Sequence, residues 1–211
     1  MSLLEDLRKS VIDGDLHAAQ AQVHQALTEN LPAEKILTDG LISAMTEVGR
    51  LFEAGEFYVP EMLISARAMK GGLAILRPQL AAANIQAIGR VVIGTVQGDL
   101  HDIGKNLVGM MLEGAGFEVI DLGVDVSPEK YVRAVQEHAP DLVGCSALLT
   151  TTMPRMQAVL QALQAAGLRD SVKVMIGGAP VTGQYARDIG ADLYAPDAAS
   201  AAQRARQAMQ G

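Results

Sequence analysis

The feature that most constrains the fold is a change in hydrophobic pattern near Arg90. From there onward, short runs rich in β-branched residues alternate with stretches of helical periodicity. This alternation favours a parallel sheet with helices on both faces, because each crossover between parallel strands needs a helix-length connection. The pattern predicts five strands, over Val91–Val96, Glu118–Leu122, Asp141–Cys145, Val172–Ile176 and Asp192–Tyr194. It predicts five helices, over Ile103–Glu113, Pro128–Glu137, Pro154–Ala166, Thr182–Ile189 and Ala198–Met209.

The fold class that follows is α/β, with a helical domain ahead of the sheet. The sheet is predicted to be doubly wound, five-stranded, parallel and flavodoxin-like (Rossmann-like), with strand order 2-1-3-4-5. Before Ala83, apolar residues recur with helical spacing and short loops separate the stretches, which predicts an antiparallel four-helix bundle. The four helices are expected from Ser2 to about Asp13, Asp15 to about Glu29, Pro32 to about Phe52, and Pro60 to Pro78.

The predicted domains are a helical domain over residues 1–83 and a sheet domain over residues 90–211, with residues 84–89 as the end of a linker that begins at Pro78. The chain of 211 residues is 49% hydrophobic, which is enough for substantial cores. Its net charge of -7 disfavours a nucleic-acid surface.

Cysteine usage and the apolar runs indicate the compartment. The single cysteine, Cys145, cannot form an internal disulfide, and the first residues lack the basic and apolar pattern of a secretory signal. No apolar run reaches the ~18 residues of a membrane span. We expect a soluble, cytoplasmic protein that binds neither nucleic acid nor membrane, and no oligomeric state is predicted.

Three loops at one edge of the predicted sheet carry the candidate functional residues. In an open parallel sheet, ligands bind outside the carboxyl ends of the strands, near the point where strand order reverses. The loops Gln97–Gly104, Ser146–Thr152 and Gly177–Pro180 should converge there. Neither nucleotide-binding motif fits, because Gly98–Asn106 is too long for a phosphate-binding loop and no G-x-G-x-x-G follows a strand.

His101 is the side chain in these loops best suited to bind a metal. A carboxylate such as Asp99 can hydrogen-bond one ring nitrogen and raise the basicity of the other. The alternative is a solvated loop histidine beside an aspartate that caps the next helix. A site built from protein alone needs further ligands, and the other histidines lie in other elements. A macrocycle that supplies four nitrogens needs only one histidine.

The motif Asp99-x-His101-x-x-Gly104, followed by Ser146-x-Leu148 and Gly177-Gly178, resembles the cobalamin-binding signature of B12-dependent methyltransferases and mutases. The helical half is similar to the cap module of methionine synthase and of corrinoid proteins from methanogens and acetogens. The resemblance extends from about residue 5 to residue 205. It implies cobalamin, with its cobalt, as the cofactor, in its methylcobalamin, cob(I)alamin and hydroxocobalamin forms.

The resemblance implies roles for three side chains around the metal. His101 would be the lower axial ligand of cobalt, in place of the cofactor's own dimethylbenzimidazole, which is the base-off/His-on mode. Asp99 would hydrogen-bond this histidine, and Thr152 would complete a proton relay. Thr152 also stands two residues before Pro154, where it could instead cap a helix, and both interpretations stay open.

Two further sets of contacts are implied by the resemblance. The cofactor and its displaced nucleotide tail would be held by Gly98, Asp99, Leu100, His101, Asp102, Ile103, Gly104, Ser146, Leu148, Thr150, Gly177, Gly178 and Ala198. The upper face would be covered by the apolar cap residues Phe52, Val59 and Met62. The alternative for the glycines is that they only allow tight turns. The alternative for the cap residues is that they only fill the core of the helical bundle. Such a cap must move aside, with Pro78–Gly89 as its hinge.

Three functions fit the resemblance. The first is a stand-alone corrinoid methyl carrier, which is a component of a methyltransferase system and not a complete enzyme. Its partners would be a substrate-specific methyltransferase for a methylamine, methanol or aryl methyl ether, an acceptor methyltransferase using tetrahydrofolate or a thiol, and a reductive activator. The second is a B12-dependent sensor, which we expect less because the first helix at Ser2 leaves no room for a DNA-binding module. The third is the small subunit of an adenosylcobalamin mutase. We expect it less, because such subunits resemble only the second half of this chain and the helical first half argues against them.

Overall fold

The computed structural model describes residues 2–210, which divide into two compact units. The helical unit comprises the residues up to Ala87 together with Glu113–Gly116. The sheet unit comprises Ile88–Leu112 and the residues from Phe117 onward. Each unit has its own set of buried apolar side chains.

The helical unit follows the predicted apolar stripes. Its elements are α1 (Leu3–Ile12), α2 (Leu16–Thr28), α3 (Ala33–Lys35), a π-helical segment (Ile36–Ile42), α4 (Ser43–Glu53) and α5 (Val59–Ala82). Ser2 and Glu5 form a capping box that begins α1, in which the Ser2 hydroxyl accepts the Glu5 N–H and the Glu5 carboxylate accepts the Ser2 N–H. Side chains buried within these helices include Leu7, Val11, Val23, Leu41, Val48, Met69 and Leu76.

Two details of the helical unit differ from the predictions. The third helix contains the π-helical segment, where Gly40 lies so close to Leu7 that a Cβ on Gly40 would be 2.6 Å from the Leu7 side chain. The fourth helix does not end at Pro78 but continues to Ala82. Proline removes one main-chain hydrogen bond, yet Leu76 and Leu80 on either side of it are buried, and their burial favours continuing the helix. The expected linker is therefore helical over its first residues.

The longest helix, α5, has 24 residues and begins with Pro60 in its first turn. Proline is well tolerated there, because the first turn needs no hydrogen bond from its nitrogen. Charged side chains occur along its length, among them Glu61, Arg67 and Lys70. Across residues 2–210, no helix combines the length and apolar character needed to cross a membrane.

The sheet unit confirms the predicted fold class and strand order. Five parallel strands run in the order β2-β1-β3-β4-β5. They are β1 (Arg90–Thr95), β2 (Glu118–Asp121), β3 (Leu142–Ser146), β4 (Lys173–Gly177) and β5 (Leu193–Ala195). The helices between and after them are α6 (Ile103–Gly114), α7 (Pro128–His138), α8 (Pro154–Ala165), α9 (Gly183–Ile189) and α10 (Ala198–Ala208). The strand ends differ from the predicted ones by at most one residue.

The register of the sheet aligns the ends of four strands. Thr95 pairs with Ser146, Ser146 with Gly177, and Gly177 with Ala195. The loops that leave these strands therefore start from one row at the carboxyl edge, on both sides of the point between β1 and β3 where strand order reverses. This is the edge at which doubly wound sheets bind ligands.

Burial within α5 predicts which leucines stabilise the helical unit. Leu76 is 0% exposed and Leu63 is 40% exposed. We expect Leu76→Ala to lower the free energy of unfolding by about 2–5 kcal/mol, because the truncation leaves a cavity. Leu63→Ala, the matched control on the same helix, should cost less than about 1 kcal/mol. Urea unfolding followed by circular dichroism measures both, and equal losses would contradict this assignment of the core.

Candidate functional site

The site is built on the loop between β1 and α6, and its centre is the buried side chain of Asp99. This carboxylate accepts five hydrogen bonds. Its Oδ1 accepts the His101 N–H (3.1 Å) and faces the His101 ring Nδ1 (2.9 Å). Its Oδ2 accepts the N–H groups of Leu148 (2.8 Å) and Leu149 (3.3 Å) and the hydroxyl of Thr152 (2.7 Å). The loop after β1 and the loop after β3, which are expected to converge, are joined by this single side chain.

Hydrogen bonding decides the charge of Asp99. Burial alone would raise the pKa of this carboxyl, but the bonds from the Leu148 N–H, the Thr152 hydroxyl, and the ring and N–H of His101 outweigh it. The pKa of Asp99 is therefore held well below its ordinary value. Asp99 remains a carboxylate at any pH at which the protein is expected to work.

This carboxylate fixes the tautomer of His101. Because an ionised carboxylate can only accept, Nδ1 of the neutral ring carries the proton and Nε2 keeps its lone pair. The His101 side chain is 53% exposed, whereas Asp99 is 0% exposed. Within residues 2–210, Nε2 has no hydrogen-bond partner. The geometry presents one basic nitrogen outward from a buried anchor.

The position of Thr152 favours one of its two predicted roles. Helix α8 begins without a side-chain cap, and its N-cap residue is Met153, so Thr152 is not the helix cap. Its hydroxyl lies 2.7 Å from Asp99 Oδ2 and 2.9 Å from the carbonyl oxygen of Leu149. A hydroxyl has one hydrogen to donate, so it can serve either acceptor. His101, Asp99 and Thr152 thus form a continuous chain of hydrogen bonds.

Three residues that sequence reasoning did not select hold this loop in place. Asp125 accepts the Gly98 N–H (2.7 Å) and donates its own N–H to the Asp99 carbonyl (3.0 Å), with its backbone in the left-handed region at φ 52°. The buried Lys105 amine forms an ion pair with Asp121 and donates to Asn106. Thr95 donates its hydroxyl to the His101 carbonyl. Asp121 is the last residue of β2 and Asp125 lies in the loop after it, and this placement at the carboxyl edge was the available signal.

The glycines of the motif differ in what surrounds them. A Cβ added to Gly104 would have no atom within 4 Å, so this glycine faces open space beside His101. A Cβ on Gly178 would lie 1.9 Å from the Ala147 carbonyl oxygen, and the φ of Gly178 is +133°. A Cβ on Gly177 would lie 2.9 Å from the Ala195 carbonyl oxygen. Gly177 and Gly178 are needed by the close approach of main chains, whereas Gly104 borders open space, which we call the Gly104 cradle.

Exposed apolar side chains surround the same edge. Leu100 and Ile103 are 72% and 79% exposed, and Leu148 and Leu149 are each about two-fifths exposed. Side chains of this size are usually buried, so a cluster of exposed ones indicates a surface that binds an apolar ligand. Leu149 was not predicted, although it follows Leu148 directly.

The remaining predicted residues occupy varied positions. In the sheet unit, Ser146 is the last residue of β3, and Thr150 and Asp102 are exposed. Ala198 is buried and is the first residue of α10, directly after the helix cap Asp197. In the helical unit, Phe52 is partly buried near the end of α4, Val59 is exposed at the start of α5, and Met62 is fully buried. The proposed contacts of these residues with a cofactor stay predictions.

The sheet unit fits a metal that is carried by a macrocycle. The structure contains, within residues 2–210, no group of three His, Cys, Asp or Glu side chains that could hold a bare ion. It offers a single imidazole with a free Nε2, the open cradle at Gly104 and exposed apolar side chains on the same loop. These features suit one axial ligand and the face of a large ring.

Comparison with known proteins decides the family. A family profile described as B12 binding domain matches residues 89–203, and a second profile of the same description matches residues 3–77. The chain belongs to the B12-binding corrinoid proteins. Its cofactor is cobalamin, as expected from the motif.

Relatives of this corrinoid protein match it over nearly its whole length. It is 43% identical to dimethylamine corrinoid protein 1 of Methanosarcina acetivorans over 206 residues, which cover 97% of this chain and 96% of the relative. It is 41% identical to a corrinoid protein of Desulfitobacterium hafniense over 210 residues, 98% of this chain and 97% of the relative. The methanol:cobalamin methyltransferase complex MtaBC from Methanosarcina barkeri contains a similar chain, with a TM-score of 0.88, 29% identity, and coverage of 99% of this chain and 80% of that one.

Two glycine substitutions separate folding from cofactor binding. Gly178→Ala should lower the free energy of unfolding of the cofactor-free protein by more than about 2 kcal/mol, because it adds both strain and a clash with Ala147. Gly104→Ala should leave that stability unchanged or raise it by up to about 1 kcal/mol, since alanine favours α6. It should weaken hydroxocobalamin binding about tenfold by filling the cradle. Urea unfolding and a spectrophotometric titration measure the two effects, and tight binding by Gly104→Ala would contradict the cradle.

Asp99 predicts a dependence of stability on pH. Folding lowers the pKa of Asp99. The contribution of its ionised side chain to the free energy of unfolding is therefore fully present above the ordinary pKa of about 4, and it is lost as the pH falls toward the lower pKa of the folded state. Asp99→Asn should therefore be less stable than wild type by about 1–3 kcal/mol at neutral pH, with a gap that narrows below about pH 4. Urea unfolding of the cofactor-free proteins across this range measures the gap, and a constant gap would show that ionisation of Asp99 is not involved.

Proposed function

We propose that this corrinoid protein is a methyl carrier that binds cobalamin in the base-off/His-on mode and passes a methyl group between two methyltransferases. The observation that carries the proposal is the free Nε2 of His101, held outward by the buried carboxylate of Asp99 at the carboxyl edge of a B12-binding domain. When bound, the cobalt of the corrin ring supplies a centre that can accept a methyl group and release it again.

His101 would bind cobalt from below through Nε2. The bond from Nδ1 to Asp99 raises the electron density on the ring and, in the neutral tautomer, leaves the lone pair of Nε2 available for the metal. The hydroxyl of Thr152 can turn from Asp99 toward the Leu149 carbonyl, which changes how strongly Asp99 attracts the proton of His101. This is how the hydrogen-bonded chain would act as a proton relay.

The displaced nucleotide tail would lie in the space beside Gly104. Leu148 offers an apolar surface for its aromatic base, and Ser146 and Thr150 offer hydroxyls on the same loop. Leu100 and Ile103 are the exposed apolar side chains nearest to His101 in sequence, and we assign them to the lower face of the ring. On the helical unit, the exposed Val59 and the partly buried Phe52 are assigned to covering the upper face, whereas the buried Met62 would support them from behind.

Methyltransferase partners follow from the relatives. Dimethylamine and trimethylamine corrinoid proteins are 40% to 43% identical to this chain over nearly its whole length, so we propose a methylamine as the class of donor. An acceptor methyltransferase acting on a thiol or tetrahydrofolate, and a reductive activator, complete the proposed system. We propose a cytoplasmic location, which the single buried free cysteine supports.

The ligand assignment is tested by electron paramagnetic resonance of protein loaded with hydroxocobalamin and reduced to Co(II). The unpaired electron of Co(II) lies along the axial bond, so a nitrogen ligand splits the cobalt lines into triplets with nitrogen-14 and doublets with nitrogen-15. We expect doublets when only the histidines are labelled with nitrogen-15. His101→Ala should lose this signal, whereas His24→Ala, a control in the helical unit, should keep it.

Two further outcomes decide the function itself. Triplets that persist with labelled histidine would show that the cofactor's own base remains bound, which contradicts the His-on mode. Methyl transfer from a methylamine to a thiol should require the loaded protein together with both methyltransferases. Isomerisation with adenosylcobalamin, or cobalamin-dependent binding to an operator, would instead support the mutase or the sensor.

A further inference from the structure

We infer that Thr95 is a positioning residue for His101, and that its hydroxyl sets the direction in which Nε2 points. The inference rests on the proposed function, in which His101 binds cobalt. It concerns the main-chain carbonyl of His101, whereas Asp99 contacts the main-chain N–H and the ring of that residue. Thr95 lies outside the motif that identified the site.

Thr95 is the last residue of β1 and is fully buried. Its N–H donates to the carbonyl of Gly123 (3.0 Å), and its carbonyl accepts the N–H of Val126 (2.9 Å). Its hydroxyl donates to the carbonyl oxygen of His101 at 2.9 Å. The main chain of Thr95 is thus fixed by the neighbouring segment, and only its hydroxyl reaches the loop that carries the proposed ligand.

The geometry at Asp99 explains why a second anchor is needed. Both bonds between Asp99 and His101, one to the main-chain N–H and one to the ring, end on the same oxygen, Oδ1. Two bonds that meet at one atom allow rotation about that atom. The bond from Thr95 to the His101 carbonyl adds a fixed point on the other side of the residue. Together the anchors restrict both the peptide and the ring, and so restrict the direction of Nε2.

The residue type supports this role. The preceding residues of β1, from Val91 to Ile93, are buried and apolar, as expected in a central parallel strand. A valine would fill the space of Thr95 without introducing a polar atom. A buried hydroxyl is stable only when it is hydrogen-bonded, and this one is satisfied by a residue six positions along the chain. The hydroxyl therefore binds the loop after β1 and takes no part in the hydrogen bonding of the strand.

The test compares Thr95→Val, which has the same shape but no donor, with Thr95→Ser, which keeps the donor. The control is Thr28→Val, because Thr28 also donates its hydroxyl to a histidine carbonyl at 2.9 Å, that of His24 in α2. Each variant is produced with its histidines labelled with nitrogen-15, and the purified protein is then loaded with hydroxocobalamin. The readouts are the dissociation constant, the visible spectrum, and the share of the Co(II) signal that is split into doublets.

We expect Thr95→Val to bind hydroxocobalamin about tenfold more weakly, as is typical when a residue that orients a metal ligand is removed. Its doublet share should fall, since a misdirected Nε2 leaves more cobalt without the histidine. Thr95→Ser and Thr28→Val should both match wild type. Circular dichroism and urea unfolding of the cofactor-free proteins establish that Thr95→Val folds. If it does not fold, Thr95→Ala takes its place with the same readouts and expectations.

Each adverse outcome overturns a different statement. If Thr95→Val has the dissociation constant and the doublet share of wild type, the role of Thr95 is overturned and the ligand assignment is left intact. The same holds for Thr95→Ala where that variant replaces it. An equal loss in Thr95→Ser would show that the methyl group matters and the hydroxyl does not, and an equal loss in Thr28→Val would show that the effect is not local. A wild-type protein without a histidine signal would overturn the proposed function, and the role of Thr95 with it.

Discussion

A carboxylate that is removed from water costs free energy unless hydrogen bonds replace its hydration. Asp99 meets this condition with five donors, three of which come from the loop after β3. The remaining two belong to His101, so the charge that holds the two loops together also orients the imidazole. Removing either loop from Asp99 would leave a buried charge short of partners. Folding of this edge and orientation of the proposed ligand are therefore one event.

The parallel sheet makes this arrangement possible. Its register places Thr95 and Ser146 side by side at the carboxyl edge, so the loop after β1 and the loop after β3 start next to each other. The strand-order reversal lies between them. Rigid strands thus position the loop ends, and the hydrogen bonds of Asp99 need to order only the few residues between. The exposed Leu100 and Ile103 remain on the outer side of this ordered loop.

Local patterns were sufficient to predict the strand order and the helices of the sheet unit, and the resemblance to the cobalamin-binding signature implied the contact of His101 with Asp99. They failed where a nonlocal contact competes with a local preference. Pro78 normally ends a helix, but burial on both sides of it prevails, and the close approach of Leu7 to Gly40 could not be foreseen from spacing. Thr95 and Asp125 were missed for a related reason. Their side chains act on residues 6 and 27 positions away in the chain, and no motif records such pairs.

The two kinds of glycine at the carboxyl edge differ in what they permit. Behind Gly177 and Gly178, carbonyl oxygens of Ala147 and Ala195 leave no space for even a methyl group, so that wall consists of main chain. A wall of this kind cannot be reshaped by exchanging side chains. If the proposed cofactor mode holds, redesign toward corrinoids with a larger lower base would have to act through side chains, at Ser146, Leu148 or Thr150. The same rigidity would let relatives with different side chains at these positions accept different bases without rebuilding the sheet.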